Sequence, residues 1–205
     1  MTAEEALAGV DQEVRACTQC KLHLSRKNAV PGEGPADAEI LFIGEGPGFH
    51  ENEQGRPFVG AAGKFLEELL ATIGMRREQV FICNVVKCRP PGNRDPLPEE
   101  IEACAAYLER QLQAVNPRLV VTLGRFSMGR YFPGAKISEV HGKPRQAEGR
   151  LIVPMYHPAA ALHQPSLRRI VEQDFARIPA YLEQASRLAP VDDKPDEAPE
   201  QLSLF

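Results

Sequence analysis

Three groups of side chains in this 205-residue chain have the types and spacing for chemistry. The first is sulfur. Cys17-Thr-Gln-Cys20 has the gap of metal-ligand or redox pairs, and Cys88 and Cys104 add two thiols with fifteen residues between them. Four such thiolates hold zinc or a [4Fe–4S] cluster with equal formal ease, so spacing alone leaves the group open. The fifth cysteine, Cys83, falls inside the apolar run VFICNV and reads as buried packing. An odd count, after an N-terminus too acidic and amphipathic for a signal peptide, speaks against a disulfide framework.

The second group is the glycine-rich stretch Gly44–Gly60, GEGPGFHENEQGRPFVG, which carries Glu45, Glu51 and Phe58. Glycines such as Gly44 and Gly46 allow sharp turns and a close approach of backbone to ligand. Phe58 supplies a ring able to stack on a flat molecule, although a plain strand-to-helix turn with Phe58 in the core explains the same letters. The third group is Asn84 with His157. A side-chain amide donates and accepts at once, and a histidine can donate to a developing anion. Singly, each residue has a bland reading as a satisfier of local backbone.

The elements that would position these groups favour the functional reading. Four short apolar runs, Glu39–Ile43, Val80–Val85, Leu119–Leu123 and Leu151–Met155, read as strands. Helical periodicity lies between them over Ala61–Ile73 and Pro98–Val115, with a short helix at 125–131 and a longer one at 166–185. Residues 3–16 read as a helix that delivers Cys17. Strands alternating with helices imply a mainly parallel sheet covered on both faces, hence an α/β fold. Ligands in such sheets bind beyond the carboxyl ends of the strands. Glu45, Asn84, Gly124 and His157 all fall there, on one rim.

Composition sets the outer limits. No apolar run reaches transmembrane length, so no membrane association is expected and a cytoplasmic protein is the default. The net charge of −4 argues against a non-specific nucleic-acid coat but not against a DNA enzyme, because the acids crowd into the tail. Residues 1–188 are expected to form one domain and 189–205 a disordered acidic tether. The tether ends in Gln201, Leu202, Ser203, Leu204 and Phe205, an apolar tip that reads as a docking peptide.

The motifs GEGPG, GRPFVG, NVVKCRPPGNR and MYHPAAAL, in that order and with four cysteines in register, resemble the family 4 uracil-DNA glycosylases over about residues 13–185. The resemblance implies a three-layer α/β/α fold with a four-stranded parallel sheet. It also implies a structural [4Fe–4S] cluster on Cys17, Cys20, Cys88 and Cys104, and a monomer acting on uracil in single- or double-stranded DNA. It implies that Phe58 stacks on a flipped uracil within the Gly44/Gly46 loop, that Asn84 pairs with its O4/N3–H edge, and that His157 donates to O2. Glu45 is then the group for water or the sugar cation, and Glu51 the wall against the 5-methyl of thymine. Gly124, Ala161, Leu162 and His163 are expected on the DNA, with Leu162 as a minor-groove wedge. Relatives often carry Ser where this chain has Ala159. GEGPG rather than GEQPG, and the lack of a basic insertion after Cys88, favour turnover over covalent trapping of uracil-DNA. The QLSLF end resembles peptides that dock on the bacterial sliding clamp. The alternatives are an inactive or trapping uracil-DNA binder, or an iron–sulfur redox protein, for which the strand-end Glu45, Asn84 and His157 have no use.

Overall fold

In the computed structural model the described residues are 1–188. The acidic tether and the expected docking peptide Gln201–Phe205 lie outside them.

The chain opens with helix α1 (Ala3–Ala16), started by a capping box in which Thr2 accepts from Glu5 N and Glu5 accepts from Thr2 N. Strand β1 (Ile40–Gly44) leads into the short α2 (Phe49–Gln54) and then α3 (Ala61–Thr72). Strand β2 (Phe81–Asn84) is followed by α4 (Pro98–Val115), and β3 (Leu119–Leu123) by α5 (Arg125–Gly129) and α6 (Ile137–Val140). A hairpin of β4 (Arg145–Ala147) and β5 (Arg150–Met155) precedes α7 (Pro158–His163), α8 (Pro165–Phe175) and α9 (Ile178–Ser186).

The sheet runs β2-β1-β3-β5-β4. Its first four strands are parallel and correspond to the four apolar runs; the short β4 adds an antiparallel edge that the sequence reading did not include. All residues of β1, β2 and β3 are buried, as expected of strands covered on both faces. One apolar cluster joins β1, β3 and β5 to α3, α8 and α9, with Phe42 stacked on Phe175 at 6.0 Å. The other lies under α1 and α4 on the far face and takes in Cys83, Cys88 and Cys104.

The helix expected over 166–185 is two helices, broken at Ala176–Arg177. Pro179 explains the break: it lacks an N–H, and its ring would strike the carbonyl of Phe175 in a continuous helix.

Candidate active site

Strand register gathers the predicted rim. Gly44 pairs with Asn84, and Leu123 with Met155, so the residues that follow these strands emerge at one level. They open onto a cavity of about 200 Å³ bordered by Glu45, Glu51, Phe58, Asn84, His157 and Arg94, among others.

Asn84 is 2 % exposed, and its Oδ1 is buried with no hydrogen-bond partner among the described residues. An orphaned carbonyl of this kind costs roughly 1–3 kcal/mol and is retained where a ligand supplies the donor. Gly44 is buried beneath it: a Cβ there would lie 2.3 Å from Asn84 Oδ1 and 2.7 Å from the Phe58 ring. Gly44 leaves the room that Asn84 and Phe58 occupy at the edge of the cavity. Gly46 borders that cavity.

His157 caps α7, its Nδ1 accepting from Ala159 N at 3.1 Å. That bond commits Nδ1 as acceptor and leaves the proton of a neutral ring on Nε2. Burial pushes the His157 pKa down to about 4, against the pull of the nearby Glu51 charge, so the ring is neutral at pH 7. Phe58 stacks on it at 5.4 Å. Gly124 packs against the same histidine: it has φ 89°, and a Cβ there would come within 3.3 Å of His157 Cβ.

Phe58 itself holds φ 51°, a left-handed conformation costing an aromatic residue on the order of 1–3 kcal/mol. Arg77 braces it, donating to Phe58 O at 2.7 Å and also to Pro57 O. Glu51 braces the same loop from the other side. Its Oε1 accepts from Val59 N and Gly60 N, both at 2.9 Å, and its Oε2 from Gly48 N at 3.1 Å. Glu51 borders the cavity, but its carboxylate is committed to holding the loop shut. Glu45 is half-buried, and burial raises its pKa; Asp95 raises it further while Arg125 opposes both.

Residues 158–163 form helix α7. Leu162 is 42 % exposed and His163 is exposed, as a DNA contact requires. Ala161, expected with them on the DNA, is 5 % exposed and packs against the core cluster, where it seats α7.

Cys17, Cys20, Cys88 and Cys104 border one recess between α1 and α4, with Cys83 buried outside it. Donors face the sulfurs: Arg26 Nη1 lies 3.2 Å from Cys88 Sγ, and Gln19 N 3.4 Å from Cys17 Sγ. Burial raises the Cys88 pKa and brings that of Cys104 to about 11. Among the described residues no three Cys, His, Asp or Glu side chains close into a group tight enough for a single ion.

Sequence reasoning missed Lys87. It is 1 % exposed, and its Nζ donates to Asn84 O at 2.8 Å and to Gln111 Oε1 at 2.6 Å. Gln111 in turn donates to Pro31 O. Between Asn84 and Cys88 this side chain fixes the span that joins the cavity to the cysteine recess. Lys87 lies inside the NVVKCRPPGNR motif, but its part, like that of Arg77, rests on contacts made only after folding.

Comparison with known proteins agrees with this geometry. The model of the uracil DNA glycosylase superfamily matches residues 31–183. The type-4 uracil-DNA glycosylase of Sulfurisphaera tokodaii is 51% identical over 186 residues, covering 85% of this chain and 84% of that one. That of Archaeoglobus fulgidus is 49% identical, covering 85% and 92%. That of Thermotoga maritima is 46% identical, covering 88% and 97%.

Proposed function

The chain belongs to the uracil-DNA glycosylase superfamily, and from that premise we propose how its cavity excises uracil from DNA. The observation that carries the reading is Asn84, its Oδ1 buried without a partner, at the border of a cavity that also presents a neutral His157 donor.

The target nucleotide leaves the stack and enters the cavity. Phe58 lies along the base, and Asn84 accepts from N3–H and donates to O4. As the C1′–N1 bond breaks, its electron pair moves into the base and charge gathers on O2. The Nε2–H of His157 donates there without losing its proton, and a single oriented donor of this kind is worth roughly 10²–10³ in rate. The carboxylate of Glu45 faces the sugar, where it stabilises the cationic C1′ and orients the water that adds to it. Raising a carboxylate by burial suits it to take that water's proton. Glu51, rigidly held, walls the site at the thymine 5-methyl. Leu162 fills the gap left by the flipped nucleotide, and Gly124 and His163 lie along the DNA.

The recess of Cys17, Cys20, Cys88 and Cys104 fits a [4Fe–4S] cluster. N–H donors of Gln19 and Arg26 face the sulfurs of Cys17 and Cys88, while a single tetrahedral zinc would draw sulfurs to about 3.8 Å from one another. A bound cluster would cross-link the end of α1 to α4 and the Cys88 loop, supplying order rather than redox chemistry. The 1–188 region acts as a cytoplasmic monomer on single- or double-stranded DNA, and Gln201–Phe205 docks on the sliding clamp at the end of its tether.

Incubation with a uracil-containing oligonucleotide followed by alkali tests the activity. Strand scission with turnover is expected, and no scission would overturn the reading. A brown colour with broad visible absorbance is expected of the purified protein, whereas a colourless protein containing zinc would exclude the cluster. Deleting Gln201–Phe205 should abolish clamp binding and leave excision of short oligonucleotides intact.

A further inference from the structure

Phe49 is 53 % exposed at the start of α2, an unusual setting for a large ring beside a polar cavity. Arg89 lies over it, with Cζ 5.3 Å from the ring centroid. Arg89 Nε donates to Asn93 Oδ1 at 2.7 Å, which steadies the guanidinium in that position. The other arginines of this rim are committed to carboxylates, Arg94 to Glu100 and Arg125 to Asp95. Arg89 pairs with no carboxylate among the described residues, so its charge is available to an anion. The pair is continuous with the cavity, because Gly48, Pro90 and Asn93, which adjoin or hold Phe49 and Arg89, all border it.

We propose that Phe49 and Arg89 form a binding site for the nucleotide flanking the target uridine. Its base stacks on the Phe49–Arg89 pair and its phosphate is held by the guanidinium. An aromatic face with a cation serves single-stranded nucleic acid in this way without reading sequence, since every base has a π-face. The site deepens the uracil-excision reading and rests on it. It lets the enzyme hold the strand beside a flipped nucleotide even where no complementary strand does so.

The test uses the full-length protein and single-stranded oligonucleotides carrying one deoxyuridine, with either a normal base or an abasic residue on its 5′ or its 3′ side. For the wild type, an abasic neighbour on one side should raise KM on the order of tenfold, the value of one stacked base. Phe49→Ala should raise KM similarly on the normal substrate and show no further loss with the abasic neighbour, while kcat moves less than about twofold. Phe49→Trp should restore KM. Arg89→Gln should flatten the dependence of log KM on log salt by about 0.7, the share of one phosphate on a single strand. A Phe49→Ala enzyme with wild-type KM, or one whose loss simply adds to that of the abasic neighbour on both sides, overturns the proposal. A wild type that excises no uracil overturns the glycosylase reading instead, and the two failures are distinct.

Discussion

Replacing Asn84 by Leu should make the protein more stable and nearly inactive. The free protein holds Asn84 Oδ1 buried without a partner, a cost of roughly 1–3 kcal/mol. Leu has similar bulk, and the side chain sits at the edge of an open cavity, so little of the gain is lost to misfit. A net stabilisation of about 1 kcal/mol is expected in urea unfolding at pH 7. On the reaction side, the variant loses two hydrogen bonds to the base edge. At roughly 1–1.5 kcal/mol each, the single-turnover rate should fall about 10²-fold. Free uracil should protect the wild type against urea and leave the variant unprotected, because the amide accounts for the protection. A variant destabilised by more than about 1 kcal/mol, yet still protected by uracil, would show that Asn84 serves the fold rather than the base.

Three further outcomes follow from the same geometry. Because burial holds His157 at about 4 rather than 6.5, excision should show no inflection from this group between pH 8 and pH 5; one near 6.5 would refute the neutral donor. Its folded pKa lies below the unfolded one, so the unfolded chain gains a proton first. The native state should therefore lose about 2–3 kcal/mol as pH falls from 6.5 to 4, somewhat below the full shift because the ring borders the open cavity, and His157→Asn should remove that slope in denaturant titrations. Lys87→Met orphans Asn84 O and Gln111 Oε1 and should destabilise by about 2–4 kcal/mol, measured by urea unfolding. Gly63→Ala, which helix propensity alone would favour by about 1 kcal/mol, should instead lower both stability and rate. A Cβ at Gly63 would fall 1.9 Å from Phe58 O, and thermal melts with excision assays read the displacement.

The parts of this molecule visible in its letters are those governed by local periodicity. The four parallel strands, α1, α3 and α4 follow from apolar spacing, and the rim of Glu45, Asn84 and His157 follows from the rule that strand ends carry chemistry. What escaped are features set by distant partners. The edge strand β4 exists only because Arg145–Ala147 pairs back onto β5. Ala161 and Leu162 are neighbours in an alanine-rich run, and only the seating of α7 turns one inward and the other out. The resemblance points to Glu51 as a wall, and only the folded loop adds the three backbone N–H groups that converge on it and hold it in place. The resemblance to a known family supplied the uracil, which the rim alone did not name.

The strand ends divide the molecule into a working side and an idle one. Every cavity residue stands at or beyond a carboxyl end of β1, β2 or β5, whereas the two-residue turn Glu148–Gly149, with φ 49° and 66°, joins β4 to β5 away from that rim. Hairpin tips of this kind accept inserted chain with little disturbance. A fluorescent tag, a surface anchor or a second repair domain spliced there would ride on the enzyme without shadowing the DNA. The fold thus offers an attachment point for building larger repair tools.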